Sequence, residues 1–122
     1  MGRFTRGSLL LLILFIGSGV GAQPPPIQVS ASPRYSAEPS TVSIILRIPK
    51  DPLNRYVDLV LEAENYYSAS SFSHLPTSPQ ILQLFRPSIP AGNYTIFAIL
   101  HRSDRSTHRA EAPPITVLER VP

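Results

Sequence analysis

Apolar and polar residues alternate along most of this chain. Ile27, Val29 and Ala31 are interleaved with Gln28, Ser30 and Ser32. Over residues 41–48, Val42, Ile44, Leu46 and Ile48 share one phase of a two-residue period, and Thr41, Ser43 and Arg47 take the other. That period belongs to a strand with one face buried, because successive side chains leave a strand on opposite sides. Residues 56–63 repeat it, with Val57, Leu59, Leu61 and Ala63 inward and Asp58 and Glu62 toward water. The Leu and Ala content leaves a helix over 56–67 as an alternative, but the alternation and the Pro-rich flanks favour a strand. An irregular strand is expected near 66–72 and a short one over 81–85. Residues 94–101 are apolar on both phases, with Tyr94, Ile96, Ala98 and Leu100 on one and Phe97 and Ile99 on the other. This predicts a central strand. The last strand, over about 108–119, is interrupted by Pro113 and Pro114. They cannot donate to a ladder, so that part belongs to an edge or a bulge.

Fourteen prolines and many serines punctuate these runs, including the loops 33–40 and 49–55. Seven short strands at near-regular spacing, without a convincing amphipathic helix, predict an all-β, antiparallel sandwich. Val42, Ile44, Leu46, Leu59, Leu61, Ile96 and Ala98 are its expected core.

The N-terminus changes the picture of where this domain works. Arg3 and Arg6 precede an unbroken apolar run, Leu9 to Ile16, and then a small-residue stretch ending at Ala22. This is the three-part pattern of a signal peptide, 1–22, cleaved after Ala22. The run is too short for a membrane-spanning helix, which needs about 20 residues. The expected product is secreted or periplasmic, with no membrane span left. A Pro-rich leader, 23–26, precedes the folded domain, 27–120. Arg3 and Arg6 leave with the signal, so the 11 basic and 8 acidic residues come close to balance. A nucleic-acid binder needs a strong basic footprint, which argues against that partner. The chain has no cysteine, so it folds without disulfides and has no thiolate for catalysis or for a zinc site.

The segment IPAGNYTIFA, residues 89–98, places Tyr94 just past a turn and ahead of an apolar strand. A Tyr there can pack its ring on the core and return its hydroxyl to the upstream backbone. Ile89, Pro90, Gly92, Tyr94, Ile96 and Ala98 resemble the corner of fibronectin type III and bacterial immunoglobulin-like domains. Prealbumin-like domains share a Pro-x-Gly-x-Tyr turn and remain an alternative. The resemblance implies a seven-stranded antiparallel immunoglobulin-like β-sandwich, with Tyr94, Gly92 and Pro90 as its structural corner.

Candidate chemistry is sparse. His101 and His108 flank the last hairpin and could share a metal with Asp104 or Glu111, but no third ligand falls at a dependable spacing. Neither a metal nor a cofactor is therefore expected. Ser103 and Ser106 beside His and Asp lack the buried acid and oxyanion hole of a triad. Asp58 and Glu62 face the same way but lie about 13 Å apart at the strand rise. These features argue against an enzyme. Arg102, Arg105 and Arg109, with the two histidines and with Lys50 and Arg55 of the neighbouring loop, could form a basic pole for carboxylates, sulfates or phosphates; a solvated hairpin tip is the plainer reading. Tyr66 and Tyr67 lie in a Ser-rich stretch of a kind used by binding loops, although Tyr66 and Phe72 could equally cap the core. The expected role is a non-catalytic module docking on an envelope or extracellular protein partner. The alternative is a carbohydrate- or polyanion-binding module with an acidic glycan as ligand. Asn93-Tyr94-Thr95 matches the N-glycosylation rule, but a place in the corner turn implies partial burial and favours a chance match.

Overall fold

The computed structural model describes residues 25–121; the expected signal peptide and the first two residues of the leader, Gln23 and Pro24, lie outside them. All regular structure among these residues is strand: β1 (Gln28–Ser32), β2 (Tyr35–Ala37), β3 (Ser40–Arg47), β4 (Asn54–Ala63), β5 (Tyr66–Ser73), β6 (Ile81–Ile89), β7 (Gly92–Arg102), β8 (Thr107–Glu111) and β9 (Ile115–Leu118). Two sheets form, one ordered β1-β3-β6 and the other β2-β9-β7-β4-β5, with β8 also paired to β7. The helical alternative over 56–67 is not adopted.

The two-residue alternation explains both sheets. In β3, Val42, Ile44 and Leu46 are buried while Thr41 and Arg47 are exposed. In β7, Tyr94, Ile96, Ala98 and Leu100 are buried and the residues between them are not. These residues join Val57, Leu59, Leu61, Ile89, Ile115 and Val117 in one core between the sheets. Each of the seven residues expected at the centre is at most 1% exposed, so hydrophobic burial at this seam holds the fold.

The expectation of seven antiparallel strands is corrected at two places. The last strand splits at Pro113 and Pro114 into β8 and β9, yet both halves lie along β7, opposite residues 97–101 and 92–94. Ala112 N still donates to Ile96 O at 2.8 Å, and the two prolines that follow have no N–H to give. The second correction is β2, within the loop expected at 33–40. It pairs parallel with β9, making the larger sheet mixed. Its apolar residues, Tyr35 and Ala37, are exposed, and three residues are too few for alternation to mark a strand, so only the partner reveals it. In β6, the strand runs past the expected end at 85, through Pro87, to Ile89. Among the described residues this edge strand pairs in a ladder only with β3, and a register irregularity opposite Ser40–Val42 absorbs the proline.

The turn between β6 and β7 is held from several directions. Tyr94 is 1% exposed, and its hydroxyl donates to Pro90 O at 2.8 Å. Its ring meets Tyr66 edge-on at 5.6 Å between centroids. Burial, then the neighbouring Tyr66 and Glu38, push the phenol's pKa up, which keeps the proton available for donation. Gly92 lies close against the same ring: a Cβ there would sit 3.3 Å from Ala63 Cβ and from Tyr94 Cε1. The Glu38 carboxylate accepts from Ala91 N at 3.0 Å and from Arg120 N at 3.2 Å, tying the turn to the C-terminal segment. Tyr94→Phe removes one hydrogen bond while keeping the ring, and is expected to cost about 0.5–1.5 kcal/mol. Tyr94→Ala also empties the core and should cost about 3–5 kcal/mol, by analogy with large aromatic truncations. Urea midpoints of the two variants, at unchanged slope, measure both.

Candidate functional site

The outward face of the larger sheet carries most of the chemistry. Register places Ser73, Tyr56, His101 and Thr107 in one row across β5, β4, β7 and β8, and Ser71, Asp58, Ile99 and Arg109 in the next. Asp58 bridges the rows. One carboxylate oxygen accepts from the Ser71 hydroxyl, and the other lies 2.8 Å from His101 Nε2. The imidazole stacks on the Tyr56 ring at 4.2 Å, nearly parallel. Both side chains are about a quarter to a third exposed, at 24% for His101 and 31% for Asp58. The Ser71 hydrogen bond, and then that of His101, hold the Asp58 carboxyl below its ordinary pKa against a partly opposing desolvation. An ionised carboxylate only accepts, so His101 Nε2 carries the proton and Nδ1 is left to exchange one. This is an oriented imidazole on an open surface. It is not a nucleophilic triad, because Asp58 stands between Ser71 and His101 and the hydroxyl donates to the acid rather than to the base.

The residues singled out in the sequence do not converge. His108 pairs with Leu100, one residue out of phase with His101, and so lies on the opposite face of the sheet; the two cannot share a metal. Arg102 is turned to Asp51 Oδ2 at 3.3 Å, while Ser103 N donates to Leu53 O at 2.8 Å. The hairpin and the 49–55 loop do meet, but Arg102 is used in joining them. Arg55 donates to Pro52 O and Asn54 O within its own loop. Arg105 is exposed at the tip in the left-handed region, φ 73°. Arg109 lies over the Phe97 ring at 4.1 Å and pairs with Glu111 at 3.0 Å. The three arginines therefore point to three surroundings. Tyr66 and Phe72 each pack inward against the core, whereas Tyr67 is 68% exposed on the outer face. The third histidine, His74, is buried, with Nε2 donating to Pro79 O at 2.9 Å.

No protein-family model matches the chain, and no curated protein matches it. Solved structures do. A superoxide reductase (neelaredoxin) from Ignicoccus hospitalis is 14% identical, with a TM-score of 0.58 over 75% of this chain and 79% of that one. A variant form of the same reductase is 12% identical, with a TM-score of 0.63 over 92% of this chain and 99% of that one. At these identities the likeness is one of fold. It corrects the resemblance drawn from residues 89–98: these two matching structures are superoxide reductases, a different fold from fibronectin type III and prealbumin-like domains. The corner turn that suggested those families is a local device for bending a chain between sheets. The same finding overturns the expectation of a non-catalytic docking module, its polyanion-binding alternative and the exclusion of an enzyme, since the proteins sharing the scaffold are named for catalysis.

One-electron oxygen chemistry normally runs through a redox metal or organic cofactor. The donor set here does not fit a metal centre held by the protein. The chain has no cysteine and three histidines, which the fold sends to three separate surroundings. Among the described residues, no group of three or more His, Cys, Asp or Glu side chains could hold a metal ion.

Asp58 gives a pH test of the pair. Its lowered folded-state pKa means that it adds stability above the unfolded value, about 3.9, and that this contribution is lost as pH falls through the folded value. Asp58→Asn should therefore flatten the acid limb of the stability curve between about pH 5 and the folded pKa, with a smaller change near neutrality than a core truncation gives. Chemical denaturation at a series of pH values measures it.

Proposed function

We propose that this chain is a superoxide reductase-like protein by scaffold, with its reactivity centred on the outward His101–Asp58 pair. The observation that carries the reading is the fold likeness, which extends over 92% of this chain and 99% of the neelaredoxin variant. Reducing superoxide requires protons as well as an electron, delivered to a small anion. The pair supplies a proton-exchanging nitrogen at His101 Nδ1, fixed in orientation by Asp58 and in plane by Tyr56. Arg109 lies in the neighbouring row of the same face, paired with Glu111. The described side chains offer no ligand cage for an electron-carrying metal, so the chain's contribution lies in proton handling.

The test is the decay of pulse-generated superoxide in the presence of the purified chain, with ascorbate as reductant. Decay faster than in the same buffer without protein is expected. His101→Ala should reduce that acceleration by at least tenfold, since a positioned acid–base group typically contributes about 10²–10⁴-fold. Decay no faster than in protein-free buffer containing the same ascorbate would overturn the proposal.

A further inference from the structure

Three asparagines occur in the described residues, and only one is followed by a hydroxyl residue at the second position: Asn54 and Asn65 precede Tyr56 and Tyr67, whereas Asn93 precedes Thr95. Partial burial is the expectation for this motif; Tyr94 is buried and Thr95 half-buried, but the acceptor itself is exposed. Tyr94 takes the inward phase of β7, so Asn93 and Thr95 both fall on the outward face, and Asn93 is exposed. Its carboxamide is oriented, with Oδ1 accepting from Thr116 Oγ1 at 3.0 Å. This uses the oxygen and leaves Nδ2, the atom that a glycan would occupy.

The surroundings have room for a bulky group. Asn93 stands between two shallow hollows of about 660 and 580 Å3 and lines both. The larger hollow also contains Thr95, Glu62 and Tyr67. Tyr67 is 68% exposed and has its ring on the same face, two strands away. An exposed aromatic face beside an attachment point is a surface on which the apolar side of a sugar packs.

We propose that Asn93 is the acceptor of an N-linked glycan whose core N-acetylglucosamine covers the Tyr67 ring. In the attachment step, Asn93 Nδ2 forms a bond to the anomeric carbon of a lipid-pyrophosphate-linked oligosaccharide. The bond from that carbon to the pyrophosphate oxygen breaks, the lipid pyrophosphate leaves, and the amide nitrogen loses one proton. The step takes place during export, which we assign to the leader of residues 1–22. It does not depend on the catalytic reading of His101, which lies at the other end of β7.

The test is secretion of the full chain from a eukaryotic host, with the product analysed before and after peptide-N-glycosidase treatment. A single mass shift is expected. Asn93→Gln and Thr95→Ala should abolish it, and Thr95→Ser should retain it. If the native leader does not export the chain in that host, the same chain behind the host's own leader serves. A secreted product at the unmodified mass, with either leader, overturns the proposal. The Tyr67 contact has a separate readout: glycan removal should lower the melting temperature of the natural chain more than that of Tyr67→Ala. Equal shifts would refute the packing while leaving the attachment site in place.

Discussion

The register of β7 against β4 is the constraint on which the rest of this molecule depends. Eight residue pairs, from Asn54↔Arg102 to Glu62↔Thr95, define it. Because the side-chain period of a strand is two, a slip of one residue would send Tyr94, Ile96, Ala98 and Leu100 to water and bring Asn93, Thr95, Phe97, Ile99 and His101 into the core. The cost of such a slip is the burial of the whole inner face, at about 25 cal/mol per Å2 of apolar surface. β7 also carries β8 and β9 on its other side, so one strand orders most of the larger sheet. Its two faces thus do separate work: the inner face closes the sandwich against the smaller sheet, and the outer face displays the His101–Asp58 pair.

This division explains why the site is open. His101 and Asp58 belong to the outward phases of adjacent strands, where the sheet has no covering layer among the described residues. Asp58 is held ionised by its hydrogen bonds rather than by burial, and the imidazole is positioned by one carboxylate and one ring. Such a pair is well oriented and poorly enclosed. The superoxide reductases with which the chain shares its fold show what the scaffold supports elsewhere; in this chain the three histidines are scattered and cysteine is absent.

Much of the fold was legible in the sequence because alternation reports directly on burial. The inward residues of β3, β4 and β7 follow from it, as do the central position of β7 and the interruption at Pro113 and Pro114. What escaped was set by partners rather than by pattern. β2 has three residues and exists because β9 lies beside it. The run of β6 beyond Phe85 depends on a register irregularity that tolerates Pro87. The candidate site was less legible still. Asp58 and His101 each fall in an outward phase, but their contact is diagonal across two strands, since Asp58 is opposite Ile99 and His101 is opposite Tyr56. Hairpin proximity suggested that His101 and His108 act together; the two-residue period, applied across the turn, separates them. The family resemblance failed for a related reason, since a tyrosine at a bend solves a local packing problem that many β folds share.

The most direct measurement of the central constraint is the set of cross-strand nuclear Overhauser contacts between β4 and β7 in the folded chain. The structure predicts backbone contacts joining Asp58 to Ile99, Leu59 to Ala98 and Leu61 to Ile96. Contacts displaced by one residue along either strand, or a set of several registers in exchange, would contradict it.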